Sequence, residues 1–198
     1  YKYVDKPSGF EVLLFGYAVD GGKVKVIDLA NGEKLPEKII EALKSPEVLK
    51  YAFNAQFERV CLGAYLGEYL SPESWRCTMV ASLYLGLPGS LAQVGAVLGV
   101  EKQKLESGKD LIKFFSVPCK ATKTNGGRTR NLPKHDPDKW QQFITYNARD
   151  VETEMEIFDR VNMFPVPDFL WKQYTEDQRI NDLGIELDMD LVTQAIQC

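Results

Sequence analysis

A single histidine and four cysteines are all that the 198 residues offer to a soft metal or a disulfide framework. Cys61, Cys77, Cys119 and Cys198 are scattered, with no C-x-x-C and no histidine cluster beside them. Zinc is therefore not expected, and reduced thiols in a cytoplasmic compartment are. His135, just ahead of Asp136-Pro137, reads as a structural residue. No apolar run approaches the length that spans a bilayer, so no membrane partner is expected. Tyr1-Lys2-Tyr3-Val4-Asp5 lacks the basic-then-apolar start of a signal peptide, and the missing initiator Met reads as a piece of something longer. Neither a G-x-G-x-x-G nor a P-loop string occurs, which counts against an ordinary nucleotide-binding α/β domain. Excess positive charge is absent too: a net charge of -4 opposes tight, unselective binding to duplex DNA.

What is present is an ordinary globular composition, 44% hydrophobic and 26% charged, sufficient for one core or one domain plus a short extension. Phe10–Val19 and Lys23–Leu29 flank the turn signal Asp20-Gly21-Gly22 and predict a hairpin. Pro36 to Leu43 predicts a helix with Pro in its first turn. The apolar run Val48–Phe53 predicts a buried strand, and Asn54 is placed to cap the helix after it with its side-chain oxygen. Phe57, Val60, Cys61 and Ala64 form the apolar face of that helix, and Glu58 lies off it. Trp75 to Thr78 predicts a further short strand. Ser90 is placed to cap a helix bearing Leu91, Val94, Val97 and Leu98 and ended by Gly99. Lys109 to Phe115 predicts another helix.

Charge is unevenly spread. Pro118 to His135 carries Lys120, Lys123, Arg128, Arg130 and Lys134 with no acid, either a solvated loop or a positive patch that contacts a nucleic-acid strand. Asp138 to about Val161 is the longest predicted helix, with Trp140, Ile144, Val151, Met155 and Phe158 as its buried stripe. Glu152, Glu154 and Glu156 read as surface acids. Pro165-Val166-Pro167 marks a boundary.

Two segments carry candidate chemistry. In Tyr146-Asn147-Ala148-Arg149-Asp150 a phenol precedes a carboxylate by four residues, so both share one helical face at the edge of the stripe. In Phe53-Asn54-Ala55-Gln56-Phe57-Glu58-Arg59 an acid opens a helix directly after a strand. Read singly, these are a plain cap with a solvated acid and a common helical pair. In this order, Asn-x-x-aromatic-acid and then Tyr-x-x-x-Asp resemble the second and third motifs of the 3′–5′ exonucleases. More narrowly, they resemble the tyrosine-bearing proofreading domain of family A DNA polymerases in its phage and prophage branch. Cys77-Thr78-Met79 to Leu98 resembles the strand and helices of that family. Pro118 to Trp140, with Asn125-Gly126-Gly127-Arg128-Thr129-Arg130-Asn131-Leu132-Pro133, is similar to a loop of its phage branch. Tyr174 to Leu187 resembles the start of a family A polymerase domain.

The resemblance implies an α/β fold of the ribonuclease H-like form, a mixed sheet flanked by helices. It implies an exonuclease domain over residues 1–164, with a linker and the start of the polymerase domain over 165–198. It further implies two divalent ions, Mg²⁺ or Mn²⁺. Asp150 would bind the water-activating ion, Glu58 would hold the other, and Tyr146 would orient the water. Asn54 and Phe57 would lie at the 3′ end of single-stranded DNA, with Lys120, Lys123, Arg128 and Arg130 contacting the strand. The polymerase domain in the same natural chain would be the other partner, in a bacterial or phage-infected cytoplasm. Glu58 departs from the family's usual Asp. The family's first motif, Asp-x-Glu on the opening strand, is not found. Asp5, Glu11, Asp20, Asp28, Glu33, Glu37, Glu41 and Glu47 precede Glu58, and none forms it. The expectation is that this motif and the first strand lie just before Tyr1, leaving the fragment weak or inactive. A non-catalytic DNA-binding or bracing domain, and an RNA-trimming relative of the ribonuclease D kind, are the alternatives.

Overall fold

A computed structural model describes Val4, residues 9–100 and residues 108–197. Tyr1 to Tyr3, Asp5 and the Cys198 thiol lie outside these residues. The hairpin forms as β1 (Leu14–Tyr17) and β2 (Lys25–Asp28), antiparallel, with Leu14 opposite Asp28 and Tyr17 opposite Lys25. The chain reverses at Asp20 and Gly21, both at positive φ, closed by the Gly22 N–H donating to the Val19 carbonyl at 2.8 Å. Two successive left-handed residues match the twist of a hairpin, and Asp and Gly tolerate them. Helix α1 spans Glu37–Lys44, with Pro36 at its N-cap.

Strand β3 (Lys50–Ala52), helix α2 (Ala55–Leu66) and strand β4 (Trp75–Cys77) make a β-α-β unit. The strands are parallel, Lys50 opposite Trp75 and Ala52 opposite Cys77. Parallel neighbours require a crossover, and α2 provides it. The described strands make two separate two-stranded sheets, where a single mixed sheet was expected. With strands of three or four residues, most of the packing falls to helices. The architecture is mixed α/β.

Helices α3 (Thr78–Tyr84), α4 (Leu91–Leu98) and α5 (Gly108–Ser116) lead to the long α6 (Pro137–Val161). Asp136 caps α6, its carboxylate accepting the Lys139 N–H at 3.1 Å, and Pro137 takes the first position, where no N–H is needed. Trp140, Phe143 and Tyr146 pack with Leu111 and Phe115 of α5; farther along, Ile157 and Val161 pack with Val94 and Val100. The Trp140 indole donates to Asp28 at 2.7 Å and ties α6 to the hairpin.

Three local expectations are corrected. Of the predicted α6 stripe only Trp140 is fully buried; Phe143, Tyr146, Thr153, Ile157 and Val161 are the others. The reason is that α6 is covered on more than one side. Val151 and Asn147 abut Gly16 of β1, and Phe158 meets Tyr51 at a centroid distance of 4.5 Å. Asn54 stands at the N-cap of α2 but in the left-handed region (φ 73°), and its side chain makes no cap bond. Ser90, in extended backbone, makes none either.

Contacts divide the chain into two compact units, Tyr1–Val166 and Pro167–Cys198. The second consists of α7 (Asp168–Leu183) and α8 (Met189–Gln197), joined through Gly184 at positive φ. No helix among the described residues is long and apolar enough to cross a membrane.

Candidate active site

Helix α6 presents Tyr146, Asp150 and Glu154 at successive four-residue steps, hence along one face. The Tyr146 ring is fixed on both sides. It stacks on Phe143 at 6.3 Å, and Gly108 lies so close that a Cβ there would overlap Tyr146 Cδ2, Cε2 and Cζ. Burial raises the phenol pKa well above its ordinary value, and the hydrogen bond and charge of Asp150 raise it further. The hydroxyl therefore keeps its proton at any physiological pH and engages the Asp150 carboxylate as a neutral donor. Beside them, Asn147 Oδ1 is buried without a hydrogen-bond partner among the described residues.

Glu58 sits in the first turn of α2, directly after β3, and is no solvated surface acid. Its Oε2 is sealed from solvent and has no hydrogen-bond partner among the described residues. Burial pushes its pKa from an ordinary 4.5 to about 8; a backbone hydrogen bond opposes the rise and the charge of Glu154 adds to it. Asn54 and Phe57, on the same helix start, are exposed beside this buried acid.

Glu154 corrects the sequence reading, which placed it on the surface. Its carboxylate is half-buried, and Thr78, the first residue of α3, donates its hydroxyl to Oε1 at 2.5 Å. Burial raises its pKa, the Thr78 bond lowers it and the charge of Asp159 raises it. The available signal was its place four residues beyond Asp150. Glu152 and Glu156 do pair at the helix surface, with Arg149 at 3.4 Å and Arg160 at 2.7 Å. The charge felt at Glu58 is that of Glu154, one turn along α6 from Asp150. Among the described residues no three His, Cys, Asp or Glu side chains converge tightly enough to hold a metal ion.

The basic segment is a braced loop. The Asn125 amide donates to the Lys120 carbonyl at 2.8 Å and to the Arg128 carbonyl at 3.2 Å, while its oxygen accepts the Thr122 N–H at 2.9 Å. Asn131, buried, donates to Phe114 of α5 at 2.9 Å and accepts from Arg128 at 2.9 Å. His135 Nδ1 accepts the Leu132 N–H at 2.8 Å, a bracing role. Arg130 pairs with Glu11. Two of the five cations thus have partners within the protein, while Lys120, Lys123 and Lys134 are exposed. Sequence reasoning missed Asn125 and Asn131; an asparagine beside Gly126-Gly127 was the available turn signal.

Over all 198 residues the chain is 48% identical to a DNA polymerase of Bacillus phage SP02, and it spans 30% of that protein's length. No family model and no solved structure matches it.

Proposed function

We propose that this chain forms the 3′–5′ exonuclease part of a family A DNA polymerase of the phage type, hydrolysing the 3′-terminal phosphodiester of single-stranded DNA. The observation that carries the reading is the buried Glu58 oxygen, without a hydrogen-bond partner among the described residues and within electrostatic reach of the α6 face that bears Tyr146 and Asp150. Similarity of the whole chain to part of a phage DNA polymerase supports it.

The donors suit a divalent cation. They are hard carboxylate oxygens, one left without a partner, and Mg²⁺ is commonly held by one or two carboxylates with several waters retained. Asp150 and Glu58 would hold the ions. Once bound, a pair of such ions would activate water and neutralise the leaving 3′ oxygen. Tyr146, kept neutral by burial, orients the attacking water through its hydroxyl, and Asp150 fixes that hydroxyl. Asn54 and Phe57 lie against the terminal nucleotide. Lys120, Lys123 and Lys134 offset repulsion between the phosphates and the acids, and recognition is through backbone and stacking rather than sequence.

Among the described residues the acids do not complete a two-ion set. Upstream of Glu58, Asp28 serves Trp140 and Asn31, and Glu11 serves Arg130. Alone, the chain is therefore expected to cleave slowly or not at all. This incompleteness favours a second reading, a non-catalytic module that grips single-stranded DNA or braces a polymerase.

The test exchanges this chain for the homologous segment of the phage polymerase and supplies 5′-labelled single-stranded DNA or RNA with Mg²⁺ or Mn²⁺. Stepwise loss from the DNA 3′ end, abolished by EDTA, is expected. Internal cutting or a preference for RNA contradicts the proposal. Tight DNA binding without digestion favours the second reading.

A further inference from the structure

We propose that Glu154 joins Glu58 as a protein ligand of one divalent cation, so that the site is built by carboxylates from α2 and α6 and steadied by the Thr78 hydroxyl. The inference rests on the reading of Glu58 as a cation ligand and deepens it. Glu58 Oε2 is buried with no hydrogen-bond partner among the described residues, and Thr78 fixes Glu154 through Oε1 at 2.5 Å. Neither carboxylate has an ion pair among the described residues. The charge of Glu154 reaches Glu58, and two half-buried acids so placed are costly unless a cation or a proton lies between them. Hard oxygens from two elements suit Mg²⁺ or Mn²⁺ with the remaining positions held by water. Thr78 begins α3 directly after β4, and β4 pairs with β3, which leads into α2. The β-α-β unit therefore positions both the Glu58 end and the hydroxyl that holds Glu154. Such an outer hydroxyl orients a ligating carboxylate, and its loss weakens a metal site.

The experiment is Mn²⁺ binding by the full chain, followed by the electron paramagnetic resonance signal of free Mn²⁺, for the unmodified protein and for E58Q, E154Q and T78V. Melting in EDTA verifies folding; both Gln variants are near-isosteric and cannot supply an anionic oxygen. Expected are one Mn²⁺ bound by the unmodified chain, roughly 10-fold weaker binding in T78V, and a larger loss in each Gln variant. Mn²⁺ should also raise the melting temperature of the unmodified chain and not that of E154Q. If E154Q binds as tightly as the unmodified chain while E58Q does not, the assignment of Glu154 fails and the reading of Glu58 stands. If E58Q binds normally, or the unmodified chain binds none, the ligand role of Glu58 fails with it.

Discussion

Replacing Glu58 by Gln should lessen the pH dependence of folding between weak acid and weak base. The unfolded Glu58 titrates near 4.5 and the folded one near 8, because burial disfavours its charge and Glu154 adds to the penalty. Between those values the native state holds a proton that the unfolded state has released, so stability falls as pH rises and levels off above about 8. At about 1.4 kcal/mol per pH unit the interval corresponds to about 5 kcal/mol, an upper bound because opening of the α2 start admits water. The amide of E58Q mimics the neutral acid. The two proteins should therefore match near pH 5, and the variant should be more stable by several kcal/mol near pH 9. Urea unfolding reports this through the fluorescence of the buried Trp75 and Trp140. Glu154 is raised by burial as well and leaves a slope of the same sign in the variant. Parallel loss of stability in both proteins, or a flat profile in the unmodified chain, would show Glu58 solvated and remove it from the site.

Other outcomes follow from the same geometry. Gly108→Ala sets a methyl into the rigid Tyr146 ring and should cost about 1–3 kcal/mol in urea unfolding. Gly16→Ala meets the buried end of Asn147 and the stiff Val151 side chain and should cost a similar amount. Trp140→Phe removes the indole's hydrogen bond to half-buried Asp28, which keeps Asn31 as a donor, and should destabilise by about 1 kcal/mol, read in the same assay. Replacing Lys120, Lys123 and Lys134 together by Ala should weaken binding of fluorescent single-stranded DNA. It should also lower the slope of log affinity against log salt by about 2, at about 0.7 per phosphate contact.

The sequence made the hairpin, the β3-α2-β4 unit and the long α6 legible, because alternation, a strand-to-helix switch and extended periodicity are local signals. Tyr146 and Asp150 were legible for the same reason, as a four-residue step on one helix. Asn54 was not, since its identity allows either a capping side chain or left-handed backbone, and the chain takes the second. The α6 stripe was misplaced because a helix covered by the hairpin on one side and by α4 and α5 elsewhere has no single apolar face. The four-residue step put Glu154 on the face of Asp150, but its hydrogen bond from Thr78, distant in sequence, was not legible. Arg128 and Arg130 looked like free cations until Asn131 and Glu11 came beside them.

The central claim is that Glu58, Tyr146 and Asp150 act together on the 3′ end of DNA. Its most direct measurement uses the phage polymerase carrying this chain in place of its own segment. Removal of a mismatched 3′ nucleotide is compared with extension of a matched primer for the unmodified sequence, E58Q, Y146F and D150N. The account predicts that excision falls by orders of magnitude in E58Q and D150N and by less in Y146F, with extension unchanged in all. Excision at the unmodified rate in D150N would contradict it.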